Sequence, residues 1–234
     1  MHTIVLVSQK GGSGKSTLAI GLGIAAMQDG HTVCLLETDP QGTVSKWRRR
    51  RTLSEPLVET IGDAHEIEHK LPSLDRRGVT LTIIDTAGGS SMTTTQAICA
   101  SDLCLIPARP SPADIEATAP TLSTIRKLDK PFAFIVNQTQ ARSHRPHSAA
   151  VALSEAAISP DAAALNKLGV LALPYIVLRN DQQDALGAGL AVTEYARDGK
   201  SAGEIRSLWH WVWHKLTAGS PPYAAAELRA AAGA

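Results

Sequence analysis

Short apolar runs of five or six residues recur along the chain. They alternate with longer stretches in which apolar positions return every three or four residues, the pattern of strands joined by crossover helices in a mainly parallel sheet. Strands are predicted over Thr3 to Ser8, Thr32 to Glu37, Leu81 to Asp85, Leu103 to Pro107, Phe132 to Asn137 and Val170 to Leu173, with Leu57 to Ile61 as a weaker edge strand. Helices are predicted over Lys15 to Gln28, Ile67 to Arg77, Ala113 to Leu128, Ser148 to Leu168 (with Pro160 as a candidate break) and Glu204 to Leu216. The expected fold is therefore α/β, a three-layer arrangement with a mainly parallel twisted sheet and helices on both faces. A chain of 234 residues suits one core, and neither a composition shift nor an internal repeat marks a second domain. Residues 1–217 read as that domain. From Ala218 onward, Gly, Ser, Pro-Pro and an Ala-rich stretch offer little large apolar surface, so 218–234 reads as a partly ordered tail.

Composition changes this picture only by exclusion. Hydrophobic residues make up 44% and charged residues 19%, and Lys plus Arg exceed Asp plus Glu by only 23 to 22, so net charge points to no partner. Any nucleic-acid contact has to come from a local basic patch. No apolar run approaches the roughly 20 residues that span a bilayer, and Met1 leads straight into a strand-like segment, which predicts a cytoplasmic protein. Cys34, Cys99 and Cys104 lack the paired short spacing of a zinc site and read as buried, reduced thiols.

Candidate chemistry begins after the first strand. In Gly11-Gly12-Ser13-Gly14-Lys15-Ser16-Thr17 the glycines allow the backbone to curl so that several N–H groups converge on phosphate oxygens, and the helix that follows aims its positive end there. Lys15 is placed to reach the β- and γ-phosphates of ATP, and the Ser16 hydroxyl to ligate Mg²⁺. A strand before the loop and an apolar helix after it supply the context that this motif needs.

Lys10-Gly-Gly-Ser-Gly-Lys-Ser-Thr17 resembles the deviant Walker A box of the ParA/MinD family of P-loop ATPases, which carries an additional lysine at its start. The resemblance implies that Lys10 reaches across a homodimer to the nucleotide of the other subunit; on residue type alone it is a solvated loop lysine. Glu37-Thr-Asp39-Pro-Gln-Gly42 is similar to the family's Asp-x-Asp-Pro-Gln-Gly segment, with Glu37 in place of the first acid. Asp39 is then expected to orient the attacking water or a Mg²⁺-bound water. Leu81-Thr-Ile-Ile-Asp85 has the form of a Walker B strand, which makes Asp85 the second candidate on the metal side, and Thr86-Ala-Gly-Gly89 resembles the second switch loop.

The same resemblance places Asn137 near the adenine and Pro174 where backbone approaches the base, although Asn and Pro also favour ordinary strand ends. It places Arg179 and Lys200 at positions like those of DNA-contacting basic residues. Lys46 to Arg51 is the densest basic run, either a solvated helix face or an added phosphate contact. The resemblance covers about residues 1 to 216 and is closest to short ParA-type members without a helix-turn-helix domain. It implies an ATPase of weak basal activity, stimulated by a ParB-like or cargo-adaptor protein. Such a protein binds non-specific DNA as an ATP dimer, associates with the nucleoid and moves plasmid, chromosome or protein cargo. The alternative within the family is a MinD-like regulator on membrane. Against it, Ile205, Leu208, Trp209, Val212, Trp213 and Leu216 follow the spacing of a core-packed helix face. An electron-donating iron protein needs two distant cluster cysteines, which Cys99 and Cys104 do not match, and a small-molecule ligase or kinase has no identifiable substrate residues here.

Overall fold

In the computed structural model of the chain, residues 1–141, 145–157 and 170–218 are described. Seven apolar runs form strands: β1 (His2–Leu6), β2 (Val33–Glu37), β3 (Leu57–Thr60), β4 (Leu81–Asp85), β5 (Leu103–Ala108), β6 (Phe132–Val136) and β7 (Leu171–Ala172). All pair in parallel in the order β3-β2-β4-β1-β5-β6-β7, so β3 is an edge strand as its weaker pattern suggests. β2, β4, β5 and β6 are buried at every residue. Burial on both faces explains why they read as continuous apolar runs without alternation.

Successive side chains nonetheless part to opposite faces. Ile4, Leu6 and Leu35 join the core under α1 (Lys15–Gln28) and the long C-terminal helix, whereas Val5, Val7 and Leu36 join the one beneath the other helices. On the first face lie α1, α2 (Thr43–Arg50), α8 (Asn180–Gly187), α9 (Val192–Tyr195) and α10 (Lys200–Thr217). The second carries α3 (Ala64–Arg76), α4 (Met92–Ala100), α6 (Ala119–Lys127) and α7 (Arg145–Ala157), with the short α5 (Pro112–Glu116) ahead of α6.

The predicted helix 113–128 is broken into α5 and α6 around Thr118; Ser111 caps α5, and Pro120, which has no N–H to donate, falls in the first turn of α6. α10 starts four residues before its predicted beginning. Three helices, α4, α8 and α9, have no counterpart in the sequence reading, and α2 has only the reading of Lys46 to Arg51 as a helix face. α7 begins at Arg145, and the predicted continuation of that helix beyond Ala157, like the tail beyond Ala218, lies outside the described residues. Cys34 and Cys104 are buried, and burial pushes both thiols up to about 12; Cys99 departs from expectation in being only partly buried.

α10 buries Ile205, Leu208, Trp209 and Val212 against the sheet and α1, with Trp209 Nε1–H donating to Asp29 at 3.0 Å. α2 is fastened at its end to α8, α9 and the stretch between them. Trp47 Nε1–H donates to the Leu190 carbonyl (3.1 Å), Arg50 Nε–H to that of Leu186 (3.1 Å), and the Arg51 guanidinium grips Glu194 through two bonds of 2.8 and 2.7 Å. Arg51 is 1% exposed and lies over the Trp47 ring, while a Cβ on Gly189 would come within 2.6 Å of the Arg50 carbonyl oxygen. Removing one partner of a buried pair strands the other charge, at a cost of about 3 kcal/mol or more. Glu194→Ala is therefore expected to lower stability by roughly that amount, read as a shift in the urea unfolding midpoint.

Candidate nucleotide-binding site

β1, β2 and β4 finish in register, with Leu6 and Glu37 both opposite Asp85, so the segments that follow them meet above one edge of the sheet. Ligands gather at this edge in open parallel sheets. The loop from Lys10 to Gly14 leads directly into α1, whose first residue is Lys15. Gly12 and Gly14 take φ of 78° and 93°, a left-handed conformation that side chains disfavour. The loop is braced from within: the Ser8 hydroxyl donates to the Lys10 carbonyl at 3.1 Å and lies 2.8 Å from the Ser13 hydroxyl.

Lys15 is 7% exposed and donates to Ser8 Oγ at 3.2 Å. Burial lowers its pKa, opposed by the charges of Asp85 and Asp39. Asp85 is fully buried, and among the described residues its carboxylate oxygens make no well-formed hydrogen bond, with only the Ser16 hydroxyl close enough to act on them. Burial pushes its pKa up to about 7; Ser16 and Lys15 pull it down, and Glu37 and Asp39 raise it further. Even with the Lys15 ammonium nearby, a buried carboxylate that lacks well-formed hydrogen bonds is costly. A Mg²⁺ ion with its water shell, next to the Ser16 hydroxyl, has the chemistry that both oxygens require.

Asp39 is partly exposed, and its Oδ1 accepts from Gln41 N–H at 2.9 Å in an Asx turn. Glu37 has a separate task. Its buried carboxylate accepts from Val44 N–H (2.7 Å), Ser45 N–H (3.0 Å) and the Ser45 hydroxyl, capping α2 at a start where Gly42 has no side chain to do so. The loop after β4 lies against the phosphate loop: Gly89 N–H donates to the Ser8 carbonyl at 3.3 Å, and a Cβ on Gly88 would sit 3.5 Å from Gly11 N.

The model of the VirC1 protein family matches residues 1–146. The chain belongs to this family, and with it to the ParA/MinD-type P-loop ATPases. It is 31% identical over 154 residues to a ParA protein of Rhizobium radiobacter, a match covering 62% of this chain and 68% of that protein. The maintenance of carboxysome distribution protein A of Halothiobacillus neapolitanus is 26% identical over 210 residues, 86% of this chain and 91% of the relative. The fold is shared with apo McdA of Cyanothece (TM-score 0.72, 18% identity, 91% of this chain and 99% of that one). It is also shared with Pyrococcus horikoshii MinD in complex with Mg-ADP (TM-score 0.67, 18% identity, 90% and 95%).

In this VirC1-family chain the remaining predicted residues fall in three places. Lys10 lies at the mouth of the loop, 38% exposed, with its ammonium 3.4 Å from Asp114 of the same chain. Burial raises the Asp114 pKa, but the hydrogen bonds of Ser111 and Arg109 and the charges of Arg109 and Lys10 outweigh it and hold the carboxyl below its ordinary value. Asn137, 4% exposed, directs its amide to the Ser13 carbonyl at 2.7 Å, and Pro174 sits at the end of β7, just before Ile176, which donates to the Val136 carbonyl. Among the described residues neither Arg179 nor Lys200 bonds to the loop. The Arg179 guanidinium is held by Glu204 through bonds of 2.8 and 2.7 Å, whereas Lys200 forms no ion pair among the described residues.

Of the basic run, Arg48, Arg50 and Arg51 donate to backbone carbonyls, and only Lys46 and Arg49 remain without a partner among the described residues. Sequence reasoning missed Ser8, Gln138, Arg109 and Asp114. Ser111-Pro-Ala-Asp114 does carry a capping-box spacing that could have flagged the last of these. Glu37→Ala is expected to speed hydrogen exchange at Val44 and Ser45 and to cost about 2 kcal/mol, the upper range for a lost cap; Glu37→Asp, one methylene shorter, should fall between.

Proposed function

We propose that this chain is a ParA-like ATPase that dimerises on ATP, binds DNA without sequence preference and segregates or positions a cargo. The observation that carries the reading is the buried Asp85 carboxylate, without well-formed hydrogen bonds among the described residues, beside Lys15 and Ser16 and close to a glycine loop at a helix start. That arrangement suits phosphate and Mg²⁺ together and little else. Lys15 and the loop amides hold the β- and γ-phosphates, Ser16 and Asp85 hold the cation side, and Asp39 orients water. Lys10 pairs with Asp114 in the single chain; in a two-fold dimer it would exchange Asp114 for the partner's phosphates, adding positive charge only when two chains meet.

The DNA reading rests on family resemblance and on Lys200. Arg179 is already committed to Glu204, so Arg179→Ala would remove an internal fastening along with any DNA contact, and Lys200→Ala is the cleaner probe. Nothing on α10 favours the membrane alternative, since Ile205, Leu208, Trp209 and Val212 of its apolar stripe are buried, Trp213 and Leu216 are partly buried, and no described helix is long and apolar enough to cross a membrane. The proposed setting is the cytoplasm, on the nucleoid, with hydrolysis stimulated by an adaptor protein.

Two measurements test this. The chain should bind random-sequence duplex DNA with ATP and much less with ADP, the affinity falling steeply with salt, and should ignore anionic liposomes. Lys15→Ala should abolish ATP binding, and DNA binding unaffected by that change would contradict the reading. Asp85 gives a pH signature. Its folded-state pKa of about 7 lies above the ordinary 3.8, so its protonation favours the fold at low pH, and this contribution is lost as pH rises through 7. Mg²⁺ requires the ionised form, so the rise in Tm on adding Mg²⁺-ATP should grow between pH 6 and 8, and Asp85→Asn should flatten that dependence.

A further inference from the structure

A loop that turns its N–H groups toward an anion must turn carbonyls away, and those carbonyls need partners of their own. Two are present on the outer side of the phosphate loop. The Asn137 side chain donates to the Ser13 carbonyl at 2.7 Å, and the neighbouring Gln138 Nε2–H donates to the Gly12 carbonyl at 2.8 Å. Gly14 has no Cβ, and one placed there would come 2.3 Å from Asn137 Nδ2, so the glycine makes room for this contact as well as for its own φ.

The backbone that presents the two amides is itself held. Asn137 N–H donates to the Ala108 carbonyl (2.8 Å), Thr139 N–H to Ile176 (2.9 Å), and Leu178 N–H to Thr139 (2.9 Å). Between these fixed neighbours Gln138 takes φ of 54°, in the left-handed region where glycine or asparagine is the usual residue. A long side chain held in a disfavoured backbone conformation, with its amide on a functional loop, directs attention to what that amide does.

We propose that Gln138, together with Asn137, is a positioning residue of the phosphate loop: the two amides tie back the Gly12 and Ser13 carbonyls and so preset the loop for nucleotide. The proposal rests on the nucleotide-binding reading above. Gln138 is the separable half, because it is only partly buried, whereas Asn137 is packed in the interior.

The test uses the full chain, a fluorescent ATP analogue for Kd, steady-state hydrolysis, thermal melts and hydrogen exchange. Gln138→Gly relieves the backbone and removes the tie. Its Tm should stay level or rise, while Kd and KM for ATP increase on the order of five- to tenfold, the worth of one neutral hydrogen bond, and kcat changes far less. Gln138→Glu sets an acceptor against the Gly12 carbonyl and should weaken binding at least as much, which a role in filling space would not produce. In nucleotide-free protein the amides of residues 12–14 should exchange faster in both variants. Wild-type Kd and loop exchange in the two variants would overturn the proposal, and so would a loss of Tm with nucleotide affinity intact. If the wild-type chain binds no nucleotide, the reading beneath falls and the proposal falls with it, a result distinct from wild-type binding that the variants share.

Discussion

Parallel pairing is the constraint on which the rest of the molecule depends. Because β1, β2 and β4 run the same way in matched register, their carboxyl ends stop at one level, and the glycine loop, Asp39 and Asp85 are gathered without any long-range search. The same pairing requires crossover helices on both faces, which dry the strand ends from either side. That drying leaves Asp85 as a fully buried carboxyl and lowers the Lys15 pKa, so the electrostatics of the site follow from the topology.

A buried acid without well-formed hydrogen bonds lowers stability, and the fold accepts that cost at Asp85. Around it the polar groups are satisfied: Thr38 and Thr86 donate to the Asp85 and Leu6 carbonyls, Ser8 braces the loop, and Glu37 caps α2. The site is therefore a local departure within a well-satisfied frame, as expected where function overrides stability.

How far the sequence could be read follows from the range of each interaction. Every strand was legible: the doubly buried ones are runs of apolar residues that need no information from elsewhere, and the partly exposed edge strand β3 showed as a weaker pattern. The phosphate loop, Asp39 and Asp85 were legible because each is a contiguous motif at a strand end. α2 showed only as a basic helix face and α8 not at all, since they bury few side chains and present polar, Arg- or Gln-rich sequence, and α4 is rich in threonine. The side-chain ties were hidden for a different reason. Gln138 meets Gly12 across 126 residues and Arg51 meets Glu194 across 143, and no local spacing records such a pairing. The run Lys46 to Arg51 shows how this misleads: it reads as a basic surface, yet half of it is used to fasten a helix.

That fastening decides where the segment from Asp39 to Gly42 can deform. α2 is bonded to β2 through Glu37 at one end and to residues 186–194 through Trp47, Arg50 and Arg51 at the other, which leaves it few independent degrees of freedom. The slack lies in the short span from Asp39 to Gly42, where the last residue has φ of 65°. A shift of the Asp39 backbone is therefore taken up mainly within those four residues, as a short hinge beside an anchored helix.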